Sequence, residues 1–161
     1  MPDPEIKSPA IQYLQDACIA YSLYMHTGPV TSLEQAAAER GQTPDQVVRS
    51  ILFRLSENQY LMALMPGPKQ ISWKTLRIAL GTNRLTLATP QELKQITGYE
   101  IGAVNPFGLP QPVKILIDSS LMKLETISLG SGIRGIALIL KTTDLILALT
   151  DYRILDLSSQ D

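Results

Sequence analysis

Val47-Val48-Arg49-Ser50-Ile51-Leu52-Phe53-Arg54-Leu55, followed by Ser56-Glu57-Asn58 and then by Tyr60-Leu61-Met62-Ala63-Leu64-Met65, is the stretch that decides the fold. Two apolar runs of strand length flank a short polar insertion, which is the pattern of an antiparallel hairpin. Pro66-Gly67-Pro68 closes the unit with turn residues. Arg49 interrupts the first apolar run, and burying an unpaired guanidinium is costly. Arg49 therefore faces solvent, a partner or a ligand.

Outward from this hairpin, helices and strands intersperse. Ser8-Pro9 starts a helix whose stripe of Ile11, Leu14, Cys18 and Tyr21 places Cys18 in the core. Residues 22 to 26 read as a strand ending near His26, with Gly28-Pro29 turning the chain. Ser32 caps a helix to Arg40 that Gly41 stops, and Thr43-Pro44 opens a brief helical turn. Ser72 caps a further helix ending at Leu80, and Thr89-Pro90 with Glu92 repeats the start signal. Val113 to Asp118, Glu125 to Leu129, Gly135 to Leu140 and Tyr152 to Leu157 read as strands, with a helix from Thr143 to Leu149. Short gaps between several strands favour hairpins over βαβ crossovers. The expected fold is α+β: one domain over residues 1–161 with a mixed, largely antiparallel, barrel-like sheet surrounded by helices.

Composition sets limits on chemistry. With 161 residues and 45% hydrophobic content, the chain supports one sizeable core. A net charge of -1 gives no overall cationic field, so DNA is not an expected partner and any RNA contact must be local. Cys18 and His26 are the only cysteine and histidine, which argues against a disulfide framework and a metal site. No metal or other cofactor is expected. The N-terminal Met-Pro-Asp-Pro-Glu-Ile-Lys lacks the apolar core of a signal peptide, and Lys141 and Asp144 interrupt the apolar run after Gly135. A cytoplasmic protein without a membrane partner is the expectation.

Thr97-Gly98-Tyr99-Glu100-Ile101-Gly102-Ala103-Val104-Asn105-Pro106-Phe107-Gly108 has neither helix nor strand periodicity. Its glycines admit positive φ or a close ligand, and Pro106 restrains Asn105, so the segment is a shaped loop that suits an exposed row of backbone N–H groups. Three further stations accompany it: Tyr24 with His26, Arg49 with Ser50, and Gly130-Ser131-Gly132-Ile133-Arg134-Gly135. The last lacks the spacing of a phosphate-binding P-loop, which rules out that reading, and a plain hairpin turn serves equally well. Asp118, at a strand end, reads as a structural cap more readily than as an acid catalyst.

Together these stations resemble the YbaK/ProX family, the single-domain aminoacyl-tRNA deacylases related to the editing domain inserted in bacterial prolyl-tRNA synthetases. The similarity runs through Tyr24-Met25-His26, Thr43 to Leu52, Leu93 to Gly108, Ile117-Asp118 and Gly132 to Gly135. Gly102-Ala103-Val104-Asn105-Pro106 carries the family's Gly-x-x-x-Pro motif. The resemblance implies hydrolysis of the ester that joins a wrong amino acid to the 3′ end of tRNA. That chemistry needs an oriented carbonyl, an activated water and oxyanion stabilisation. By the match, Gly102 supplies backbone that orients the carbonyl while a substrate ribose hydroxyl positions the water. Arg49 sits at the family's catalytic strand position. Tyr24, His26, Ser50, Asn105 and Pro106 line or shape the pocket, and Gly132 and Arg134 border it.

One departure matters. The family usually has lysine followed by threonine where this chain has Arg49-Ser50. Arginine stays charged and cannot act as a general base, though it can anchor a phosphate or ribose by charge-assisted hydrogen bonds. Asn105 also replaces a serine common before the loop proline, which alters pocket size and polarity. The resemblance therefore implies a trans-acting deacylase, most plausibly for Ala or Cys on tRNA for proline. The alternative is a catalytically impaired module that binds the aminoacyl-tRNA 3′ end, and a hydrolase of an unrelated ester or amide is a third reading. Lys69, Lys74, Arg77 and Arg84, with Trp73, surround the 72–80 helix and are candidates for acceptor-stem contact; the alternative is a solvated helix face with Trp73 turned inward. A slightly acidic chain binds tRNA weakly by itself, so a synthetase or another tRNA-binding protein is expected to supply recognition, and the resemblance makes prolyl-tRNA synthetase a candidate partner.

Overall fold

Residues 6–158 are described by a computed structural model; Met1 to Glu5, part of the segment read above for a signal peptide, lie outside them. The central hairpin forms as its sequence dictates. β2 (Val48–Ser56) pairs antiparallel with β3 (Gln59–Pro66), placing Arg49 opposite Met65 and Ser50 opposite Leu64. Asn58 takes the left-handed conformation its short polar side chain tolerates and turns the chain.

β1 (Ser22–Met25) lies in a second sheet, and β4 (Thr86–Leu87) lies on the outer edge of β2. On the far side, β3 pairs parallel with β5 (Lys114–Asp118), which pairs parallel with β8 (Tyr152–Leu155). The second sheet holds β1, β7 (Ile136–Lys141) and β6 (Thr126–Gly130) in that order, all antiparallel. An isolated parallel bridge, Val47 to Ser128, joins the two sheets. The domain is thus α+β with a mixed, largely antiparallel architecture; its ladders form two adjoining sheets and do not close into a ring.

β3 is buried on both faces, which explains why its sequence runs apolar without alternating. Met62 and Leu64 enter a core with Ile11, Leu14, Ile117, Leu138 and Leu145. Leu61, Ala63 and Met65 enter another, with Phe53, Leu76 and Leu116. Each fully buried leucine of this kind contributes about 1.5–3 kcal/mol relative to exposure.

There are five helices among the described residues: α1 (Pro9–Asp16), α2 (Leu33–Glu39), α3 (Trp73–Leu80), α4 (Pro90–Thr97) and α5 (Thr142–Ala148); α1, α4 and α5 pack into the first core and α3 into the second. The side chains of Ser8, Ser32, Ser72 and Thr89 cap the first four. One expectation fails at α1. The helix stops at Asp16, so Cys18 is exposed with φ 59° instead of extending the apolar stripe. Bonds from Cys18 N to Gln15 O (3.1 Å) and Ile19 N to Leu14 O (2.9 Å) make this a Schellman end with cysteine in the position usually held by glycine. β4 and a 3₁₀ segment, Ser119–Lys123, were not expected, being too short to show periodicity. Among the described residues no helix is long and apolar enough to cross a membrane.

Candidate functional site

The hairpin, the β6–β7 turn, the end of β1, the end of α2 and the glycine loop enclose a cavity of about 700 Å³. Arg49, Ser50, Gly102, His26 and Arg134 all line it, so five of the nine residues singled out above converge there. The size lies in the range of small-molecule pockets.

Gly102 has φ 88°, a conformation glycine adopts freely, and a Cβ built there would meet nothing within 4 Å. Its surroundings are open. No hydrogen bond among the described residues uses its amide. Arg49 is half-buried; its Nε donates to Gly67 O at 2.9 Å and its Nη2 donates to Lys69 O. The guanidinium thus rivets the turn after β3 while Nη1 remains without a protein acceptor among the described residues. Burial pulls its pKa below the ordinary arginine value, although arginine stays charged at any physiological pH. Next to it, the buried Ser50 hydroxyl has no hydrogen-bond partner among the described residues.

His26 is the hub of a network that the sequence did not disclose. Its Nδ1 lies 2.9 Å from Glu39 Oε1, and its Nε2 accepts from Arg40 Nε at 3.0 Å. A guanidinium only donates, so one tautomer serves both contacts: Nδ1–H donates to the carboxylate and the Nε2 lone pair faces Arg40. Arg40 Nη1 also donates to Ser128 Oγ (2.9 Å), which itself donates to Gln42 Oε1 (2.6 Å). Hydrogen bonds from His26 and then Gln35 hold the Glu39 carboxyl below the usual carboxylate range. With a side chain only 2% exposed, His26 lines the cavity but offers it little surface.

The remaining residues sit elsewhere. Tyr24 stacks edge-on against His26, with ring centroids 4.9 Å apart, and is outside the cavity lining. Asn105 is fully buried: Nδ2 donates to Gly130 O (2.7 Å) and Oδ1 accepts from Phe107 N (2.8 Å), so it folds the loop against the β6 end. Pro106 borders a different hollow of about 290 Å³, beside Tyr13 and Phe107. Gly132 abuts Ser8 and Tyr99, where a Cβ would come within 2.8 and 2.9 Å of their atoms. These three residues hold the loop and the turn in place and do not face the cavity. Asp118 is structural, accepting from Ser120 N (3.1 Å) and Leu157 N (2.7 Å). Trp73 meets Phe53 edge-on at 5.1 Å and is 36% exposed, between its two expected placements.

Arg40, Glu39, Ser128 and Gln42 are the site residues that sequence reasoning passed over. Glu39-Arg40-Gly41 reads as an ordinary charged helix end, and only the fold brings it against His26. Bonds from Gln42 N to Ala37 O (2.8 Å) and Gly41 N to Ala38 O (3.2 Å) make that end a Schellman motif, which fixes where Arg40 leaves the helix.

Residues 27–147 match the aminoacyl-tRNA editing domain family. The chain belongs to that family. It is 27% identical over 103 residues to a proline–tRNA ligase of Aquifex aeolicus, which aligns with 64% of this chain and 18% of the ligase. It is 31% identical over 114 residues to the uncharacterized protein YwhH of Bacillus subtilis, covering 71% of this chain and 72% of that one. The chain therefore spans about a fifth of such a ligase and most of the short relative. A crystal structure described as a candidate trans-editing enzyme for prolyl tRNA synthetase superposes with a TM-score of 0.82 at 23% identity, covering 96% of this chain and 99% of that one. That likeness establishes the shared fold. The YbaK/ProX resemblance read from the loop and the hairpin is upheld.

Proposed function

We propose that this protein is a trans-acting aminoacyl-tRNA deacylase that hydrolyses the ester of a mischarged tRNA, with Ala or Cys on tRNA for proline as the first substrates to test. The observation that carries the reading is the meeting of Arg49, Ser50 and the unused Gly102 amide on one cavity. The 3′-terminal nucleotide enters with its acyl group toward Gly102, whose backbone orients the ester carbonyl. Water, positioned by a ribose hydroxyl of the substrate, attacks the carbonyl carbon. Negative charge then grows on the oxygen in a cavity lined by guanidinium groups, which favours the transition state more than the neutral ester. Collapse breaks the acyl–oxygen bond, freeing the amino acid, and the proton lost by the attacking water passes to the leaving oxygen, by way of the neighbouring ribose hydroxyl, to regenerate the second hydroxyl. Arg49 acts as a fixed charge, since it cannot exchange protons at neutral pH. The editing logic is general: a binding pocket separates small amino acids by only about 1–3 kcal/mol per methylene, so a second hydrolytic sieve is useful.

A specific observation favours a second reading, a module that binds the RNA end without turnover. Arg49 spends Nε and Nη2 on its own turn, which leaves Nη1 as its one nitrogen without a protein acceptor among the described residues. Amino-acid release from a panel of mischarged tRNAs separates the two. The deacylase predicts turnover that falls about 10–100-fold in Arg49→Ala, as expected when a charged hydrogen-bond donor is removed. The binding module predicts no turnover in the native protein and a gain in Arg49→Lys. No release from any tRNA by the native protein at high concentration removes the deacylase, and no gain in Arg49→Lys then removes the binding module as described.

A further inference from the structure

A second half-buried arginine, Arg40, lies on the wall of the cavity. Its side-chain hydrogen-bond partners among the described residues are neutral: His26 Nε2 and Ser128 Oγ. Among the described residues it makes no direct ion pair. Glu39 attracts it through space but makes no hydrogen bond to it, the two being joined through the imidazole ring. A half-buried guanidinium with no carboxylate in direct contact bears a desolvation cost that an anionic ligand would relieve further. Three arginines, Arg40, Arg49 and Arg134, line this cavity and no aspartate or glutamate does. Of the three, Arg134 is exposed on a turn and Arg49 is committed to the carbonyls of Gly67 and Lys69. Arg40 differs from both: Nε and Nη1 are fixed by side chains, while Nη2 has no protein acceptor among the described residues.

We propose that Arg40 binds the 5′-phosphate of the substrate's 3′-terminal nucleotide and that His26 is its positioning residue. The inference rests on the reading that the cavity receives an acylated RNA end. His26, sandwiched between Glu39 and Arg40, holds the guanidinium fork in one orientation. Ser128, braced by Gln42, fixes the other edge. Pre-orienting the donor lowers the entropy lost on binding a phosphate, and the N–H bonds of Nη2 are left to donate charge-assisted hydrogen bonds to its oxygens. The histidine therefore acts through Arg40 and not by touching the substrate, in keeping with its near-complete burial.

The test uses two ligands: adenosine carrying alanine through a non-hydrolysable 3′ amide, with and without a 5′-phosphate. Their dissociation constants are measured on the full chain. The native protein should favour the phosphorylated ligand by about tenfold or more, the size of one charge-assisted contact. Arg40→Gln should abolish that preference, and Arg40→Lys should retain part of it. His26→Phe, which removes the acceptor for Arg40 Nε, should cut the preference. His26→Gln, which keeps an acceptor in reach, should restore part of it, a rescue that a purely structural role does not produce. Inorganic phosphate should compete only at much higher concentration. A preference that survives Arg40→Gln, no preference in the native protein, or equal binding of inorganic phosphate overturns the proposal. Deacylation is scored separately: a phosphate preference through Arg40 without turnover leaves this inference standing and removes the catalytic reading alone.

Discussion

Gly102 and Gly132 share a positive φ, yet they are predicted to respond differently to a methyl group. At Gly102 an added Cβ finds open space, so Gly102→Ala should cost only the backbone strain, about 1–2 kcal/mol, with the fold retained. At Gly132 the same strain is joined by collision with Ser8 and Tyr99, so Gly132→Ala should be markedly less stable in urea than Gly102→Ala. Equal midpoints for the two variants would contradict this distinction. Asn105→Ala removes both loop contacts in a fully buried place and should cost about 2–4 kcal/mol by urea denaturation. A loss under about 0.5 kcal/mol would show that the loop does not depend on them. At this scale the sequence was informative about residue type and less so about direction. The Gly-x-x-x-Pro signature was visible in Gly102 to Pro106, but that Asn105 turns to Gly130 and Pro106 to a separate hollow depends on contacts across the fold.

Among the elements, helix starts were readable because capping is local chemistry. Ser8, Ser32, Ser72 and Thr89 all cap where the sequence placed them. Ser8 does more: besides accepting from Ile11 N it donates to Ser131 O at 2.5 Å, which ties α1 to the turn bordering the cavity. Ser8→Ala should therefore cost about 1–2 kcal/mol by urea denaturation, at the upper end for a cap, and an effect near zero would refute that link. α4 carries a charged version of the same device. Glu92 accepts from the Thr89 backbone N–H and from the Tyr60 hydroxyl, which hold its carboxyl below the usual range. A group lowered on folding stabilises above its unfolded pKa and loses that contribution as pH falls through the folded value. Stability should thus decline on acidification below the ordinary carboxylate range, and Glu92→Gln should reduce the drop between about pH 7 and about pH 3. An unchanged drop would show that Glu92 is not among the carboxyls responsible. The end of α1 was misread because Cys18 takes a left-handed conformation that apolar periodicity does not report. The parallel pairings of β5 were likewise invisible, since β3 and β8 are remote from it in sequence.

For the whole molecule, the two-sheet arrangement explains how a nearly neutral chain makes a cationic cavity. The net charge is only -1, yet Arg40, Arg49 and Arg134 converge from a helix end, a central strand and a hairpin turn. Composition reports the sum of charges and not their placement, which is why Arg40 escaped notice until the Val47 to Ser128 bridge brought the sheets together. The central claim is that the Gly102 backbone faces an ester in this cavity, and the most direct test is the initial rate of alanine release from alanylated tRNA for proline by the native protein and by Gly102→Ala. The account predicts measurable release by the native protein and a fall of about 100-fold in the variant, whose methyl occupies the space required by the carbonyl, while its fold persists. Equal rates in the two folded proteins would contradict it.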